Sequence, residues 1–208
     1  NALGGRRRRR LYIEHDDGSW EWVNTSHLEA LDVTDAANIA TVGSFELPGW
    51  IADSRMVGDV IYTVTFEDGY CWDCNADGPQ TTVTSLTVGQ PSEIGVVDRL
   101  TIEEPPETYG WNRSVSVVED RMYIAGVDWW DGTGSTSTIR VVDISDADGE
   151  LRLGTEVEIQ GQVQSRWQMD EHEGVLRVIS QPWDSSINII RWRKYGRPRV
   201  ITAGGRKR

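Results

Sequence analysis

Arg55-Met56-Val57-Gly58-Asp59-Val60-Ile61-Tyr62-Thr63-Val64 reads as a β-hairpin. Gly58-Asp59 can take left-handed or self-bonded backbone, so the chain can reverse there, and the flanking residues are mostly apolar and, on the far side, β-branched or aromatic. The same grammar recurs at Val115 to Val118, Glu119-Asp120 and Arg121 to Ala125, and again from Trp167 through Gly174 to Ile179. A pattern that returns along one chain implies a repeated structural unit, and the unit is larger than the hairpin.

Further strands fall at fixed places around the hairpins. One set is His27 to Val33, Val83 to Val88 and Thr138 to Ile144, with Leu31-Asp32-Val33 close to Val142-Asp143-Ile144. Another is Val42 to Leu47, Val96 to Ile102 and Gly154 to Ile159. Helical period is nearly absent between the Gly, Asp, Pro and Ser clusters that punctuate these runs. Four antiparallel strands per unit of roughly fifty residues, each sheet unable to bury both faces alone, describe blades stacked radially around a channel. The expected fold is all-β: β-propeller blades over about 11–47, 54–102 and 113–159, a next blade opening over 165–187, and an incomplete ring. Its missing blades are expected from the rest of a longer chain or from another subunit. The basic stretches 1–10 and 188–208 are expected to lie outside the repeat, with the propeller fragment spanning 11–187.

Leu31-Asp32-Val33-Thr34-Asp35, Val42 to Trp50, Asp53 to Asp59 and Trp167 to Val178 resemble one family. It is the secreted bacterial and archaeal proteins with a C-terminal β-propeller distantly related to WD repeats. The resemblance implies a secreted or surface-attached propeller in a larger protein, with roles in surface binding or assembly. It supplies no common catalytic set to carry across.

Charge narrows the partners. The chain has a formal net charge of -12, but residues 11 to 190 hold all 33 acidic residues and only 8 of the basic ones, every one of them Arg. Such a body repels a phosphate backbone, so nucleic acid is not an expected partner. No apolar run is long enough for a transmembrane helix, so no membrane span is expected in this stretch. Residues 1–10 lack the apolar segment of a signal peptide, so an export signal is expected upstream.

The segment Tyr70 to Pro79 concentrates the candidate chemistry. Cys71 and Cys74 are the only two cysteines. A lone C-x-x-C pair is half a zinc site, a redox motif that wants a βαβ setting, or a local disulfide. In an exported all-β chain the disulfide is the expectation. Overlapping it, Asp73, Asn75 and Asp77 followed by Gly78 fit the opening of a calcium loop, in which alternating oxygens wrap a hard cation. Thr84 stands where that pattern wants a bidentate Glu, and an Asp-rich solvated turn is the competing reading. No other cofactor is implied.

Trp129 and Trp130, between Asp128 and Asp131, are the candidate ligand-binding pair, since aromatic rings suit sugar or protein surfaces. Trp50, Trp111 and Trp167 are expected to pack between blades. His15, His27 and His172 stand in no nucleophile or metal pattern, and no catalytic residue is assigned. The functional expectation is an extracellular binding or scaffolding propeller that meets a protein or carbohydrate ligand at the cell surface, with no identifiable catalytic site. The alternative is a polysaccharide-active hydrolase or lyase using carboxylates on the propeller face.

Overall fold

A computed structural model describes residues 10–14, 18, 20–67, 79–88, 94–103, 113–127 and 136–181. Among the described residues thirteen strands form four sheets. Sheet 1 is the meander β1 (Arg10–Glu14), β2 (Trp20–Asp32) and β3 (Ala40–Pro48). Sheet 2 is β4 (Trp50–Val57), β5 (Val60–Glu67), β6 (Gln80–Val88) and β7 (Ile94–Glu103). Sheet 3 is β8 (Arg113–Val118), β9 (Arg121–Val127), β10 (Thr136–Asp143) and β11 (Arg152–Gln160). A short 3-10 turn, η1 (Arg166–Gln168), leads into the hairpin of β12 (Met169–His172) and β13 (Val175–Val178). Every pairing between neighbours is antiparallel.

The three hairpins fold where the sequence places them. Val57 pairs with Val60 across Gly58-Asp59, Val118 with Arg121 across Glu119-Asp120, and His172 with Val175 across Glu173-Gly174. In the last turn both central residues are left-handed, Glu173 at φ 52° and Gly174 at φ 75°, which matches the twist of a two-residue hairpin. Several strand starts differ from expectation, among them β2, which begins at Trp20 and not His27, and two have a local cause. β4 starts at Trp50, ahead of Ser54, because Pro48-Gly49 turns the chain directly from sheet 1 into sheet 2. The last hairpin starts at Met169, because Arg166–Gln168 are wound into the turn before it.

Strand alternation sends side chains to opposite faces, and sheet 3 buries both. Met122, Ile124, Val115 and Val142 join Val60, Tyr62, Val64 and Val83 of sheet 2 in one core. Tyr123, Ala125 and Ile139 turn the other way and pack with Val163, Met169, Leu176 and Val178. Full burial of each Val, Leu or Ile side chain contributes about 1.5–3 kcal/mol, so these two layers are the main apolar force holding the sheets together. The first strands lie side by side, β4 against β8 and β8 against η1 and β12. This is blade-on-blade stacking, and the sheets form an open arc and not a closed ring.

The interface between sheets 1 and 2 is different in kind. Leu47 is buried there, but Thr63, Thr65, Thr82 and Thr84 occupy the face of sheet 2 opposite the Val60-Tyr62-Val64 core, all buried. Thr63 and Thr65 donate their hydroxyls to the carbonyls of Thr84 and Thr82, which lets polar side chains sit inside the stack.

Candidate ligand-binding end of the blades

Because each sheet is a meander, its connections alternate between two ends. Side-chain ties show which ends of neighbouring sheets coincide. Gly49 donates its N–H to the Asn24 carbonyl at 2.7 Å and accepts from the Ser26 hydroxyl at 2.8 Å, which joins the start of β2 to the turn before β4. Arg113, at the start of β8, donates from Nε to Thr81 Oγ1 at 2.8 Å and lies 5.8 Å from the Phe66 ring, near the end of β5. Its guanidinium rests beside Gly126, its register partner at the end of β9, where a Cβ would stand 3.6 Å from Arg113 Cζ. Connections β1–β2, β3–β4, β5–β6, β7–β8, β9–β10 and β11–β12 therefore leave from one end, and the remainder from the other.

The second end is acidic and largely self-satisfied. Asp32 accepts from the N–H and the hydroxyl of Thr34, and Asp35 from Ala37 N–H at 2.9 Å and Asn38 Nδ2 at 2.7 Å. Two repeats later Asp143 accepts from Ser145 N–H at 2.9 Å, and Asp146 from the N–H groups of Asp148 and Gly149 at 2.9 and 3.1 Å. Side-chain hydrogen bonds from Thr34, Asn38 and Ser145, followed by the backbone bonds, hold Asp32, Asp35 and Asp143 below the usual carboxylate range. These carboxylates build turns. The turn after β10 also fastens sheet 3 to sheet 2, since Gly149 accepts from Ser85 Oγ at 2.7 Å and Leu151 donates its N–H to Asp98 Oδ2 at 2.9 Å.

The first end carries the aromatic residues. Trp20 and Trp50 open β2 and β4, and the connections starting at that end contain Trp72, Trp111, Trp129, Trp130 and Trp167 in their sequences. The opposite connections, 33–39, 58–59, 89–93, 119–120, 144–151 and 173–174, contain neither Trp nor Lys nor Arg, and each contains Asp or Glu. Cys71, Asp73, Cys74, Asn75 and Asp77 belong to the β5–β6 connection, and Trp129 and Trp130 to the β9–β10 connection; all of them lie outside the described residues. The strands that bracket these two connections end next to one another, with Arg113 between them.

Trp167 departs from the expected packing between blades. It is 81% exposed, whereas Trp50 is half-buried. Ser165 and Gln168 form a reciprocal capping box around η1, in which Gln168 Oε1 accepts from Ser165 N–H at 3.0 Å and the Ser165 hydroxyl accepts from Trp167 N–H at 3.4 Å. Arg166 reaches across β8 to Asp53 Oδ2 at 3.6 Å, and Asp53 Oδ1 also accepts from Arg55 at 2.8 Å. Sequence reading missed this inter-blade pair because Asp53 and Arg166 belong to blades that are not adjacent. The Ser-x-x-Gln spacing at Ser165 was the available signal for η1.

A second missed cluster joins sheet 3 to the last hairpin. Glu171 accepts from the Tyr123 hydroxyl and from Arg121 Nη1, the latter at 3.2 Å. Burial, and then the bond to Glu171, raise the Tyr123 phenol above the ordinary tyrosine range. His27 and His172 are exposed strand residues, and His172 Nε2 lies 3.9 Å from Glu173 Oε1. Among the described residues no group of three His, Cys, Asp or Glu side chains could hold a metal ion, and no helix is long and apolar enough to cross a membrane.

Residues 104–200 match the family model described as Beta propeller domain, a span that takes in all of sheet 3 and the following hairpin. A search of curated proteins finds no match. Four-stranded antiparallel sheets stacked face on face, first strands side by side, and this match over part of the chain together identify the fold as an open stretch of β-propeller blades.

Proposed function

We propose that this propeller is an extracellular binding or scaffolding module whose ligand, a protein or a carbohydrate, meets the end of the blades from which the β5–β6 and β9–β10 connections leave. The supporting observation is the division of chemistry between the two ends. The acidic end spends the carboxylates of Asp32, Asp35, Asp143 and Asp146 on its own turns, while the other end collects the tryptophans and the long connections. Trp129 and Trp130 are the ligand-contacting pair in this reading. Cys71 and Cys74 close a local disulfide that stiffens the neighbouring connection, and Asp73, Asn75 and Asp77 give it a calcium site, both suited to an oxidising, calcium-rich exterior. The described residues offer no observation that favours the polysaccharide-cleaving alternative.

The test is capture of the full chain on immobilised cell-surface glycans and proteins. Two variants accompany it, Trp129→Ala/Trp130→Ala at one end and Asp59→Asn/Glu119→Gln at the other. Capture is expected to fall roughly tenfold or more in the tryptophan variant, the loss of a central aromatic anchor, and to be unchanged in the acidic-end variant. The reverse pattern would place the binding surface at the acidic end and reject the proposal. Calorimetric titration with calcium should show one site that Asp73→Ala and Asp77→Ala each remove.

A further inference from the structure

We infer that Trp167, with Arg166 and Asp53 beside it, is a stacking platform for a neutral pyranose residue of a polysaccharide. The inference goes beyond the role given to Trp129 and Trp130 and rests on described residues alone. Trp167 presents an indole that is 81% exposed. Its backbone is held from several sides: Gln168 Oε1 accepts from Gln164 N–H at 2.8 Å and Ser165 N–H at 3.0 Å, and Gln168 Nε2 donates to the Ile179 carbonyl at 2.9 Å. A bare aromatic on a fixed turn loses little conformational freedom when a ligand settles on it, which is the condition for useful affinity from a small contact.

The neighbours supply the polar half of such a site. The Arg166 guanidinium lies 4.8 Å from the Trp167 ring centroid and is steadied by Asp53 at 3.6 Å, while Arg55 holds the other Asp53 oxygen at 2.8 Å. Arginine therefore covers one side of the indole, with fixed N–H donors at its margin. The 81% exposure of Trp167 leaves ring surface for the C–H face of a sugar, whose hydroxyls can reach those donors and the carboxylate. Size and charge select the ligand class. One indole matches one sugar ring and falls far short of the roughly 1,000 Å² that a stable protein interface buries. The surplus of acidic residues over residues 11 to 190 repels anionic lipid surfaces and acidic polymers, but not neutral sugars.

The experiment is isothermal titration of the full chain with cellohexaose and xylohexaose, and with polygalacturonate as the anionic comparison. It is repeated on Trp167→Ala, Trp167→Phe, Arg166→Ala and Trp129→Ala/Trp130→Ala, with a thermal melt of each. The expected result is binding of a neutral hexasaccharide that weakens about tenfold in Trp167→Ala, the size of losing one aromatic contact. Trp167→Phe should keep part of it, and Arg166→Ala should weaken it. Loss only in the Trp129/Trp130 variant would overturn the platform while sparing the binding role of that pair. Absence of binding to either neutral sugar by the folded chain, preference for polygalacturonate, or a melting temperature lowered by several degrees in Trp167→Ala would each overturn it as well, the last by showing that the ring is covered in solution.

Discussion

Single residues carry the stack where backbone or charge has no slack. Gly49 has φ +69°, and a Cβ there would stand 2.4 Å from the Phe66 carbonyl oxygen, so Gly49→Ala adds a backbone collision to left-handed strain. Gly174 has a similar φ of +75° but open space around it. Gly174→Ala should therefore cost about 1–2 kcal/mol, and Gly49→Ala clearly more, as urea unfolding midpoints of the two variants will show. Arg113 is only 3% exposed, and its charge is retained inside the stack by Thr81 and the Phe66 ring among its partners. Arg113→Ala should destabilise by about 3 kcal/mol or more, because it opens a cavity and leaves polar partners behind. The sequence offered no sign of this residue: an isolated Arg at the head of a Ser-rich strand looks solvent-facing until Gly126 is seen to make room for it. The turn aspartates were legible, since Asp32/Asp143 and Asp35/Asp146 repeat and an Asp two residues ahead of a backbone N–H closes its own turn.

At the scale of elements, the hairpins were legible because their signals are local, and the contacts between elements were not. The β12–β13 hairpin is docked on sheet 3 by Met169, Leu176 and Val178 and by the Tyr123–Glu171–Arg121 cluster, whose members are about fifty residues apart in sequence. This cluster makes the docking sensitive to alkali. The Tyr123 phenol is raised above its unfolded value of 10.0, so the neutral form is favoured by folding. Its contribution is complete below that value and is lost as pH rises through the higher folded one. Tyr62, raised first by burial and then by Asp146, acts in the same direction. Chemical unfolding followed across pH 9 to 12, on the order of two units around the tyrosine range, should show stability falling in the wild-type chain and a shallower fall in Tyr123→Phe. The acidic turns have the opposite dependence. Asp32, Asp35 and Asp143 titrate below the unfolded value of 3.8, so their contribution is present above it and is lost as pH drops through the folded values. Amide exchange at Thr34, Ala37 and Ser145 should accelerate there, and Asp32→Asn should show the faster exchange already at neutral pH.

Across the whole molecule, the repeat made the blades readable, because a four-stranded unit that returns along the chain can bury its faces only against its own copies. What the repeat concealed is that successive interfaces differ. Sheets 2 and 3 share an apolar layer, sheets 1 and 2 a threonine-lined one, and sheet 3 meets the hairpin through a mixed apolar and ionic contact. The repeat equally concealed how the tryptophans divide between ends, since strand direction is needed to sort the connections. The central claim is that sheets 2 and 3 are consecutive blades of one cooperative stack, with a common core running through Val64 and Ile124. Native-state hydrogen exchange on the wild-type chain and on Val64→Ala tests it most directly. Removing two methyl groups from this layer should cost about 2 kcal/mol. The account predicts that amides of β5, β6, β9 and β10 exchange together as the slowest set and lose protection equally in the variant. Loss of protection confined to residues 50–103, with β9 and β10 unchanged, would contradict it and leave two sheets that fold independently.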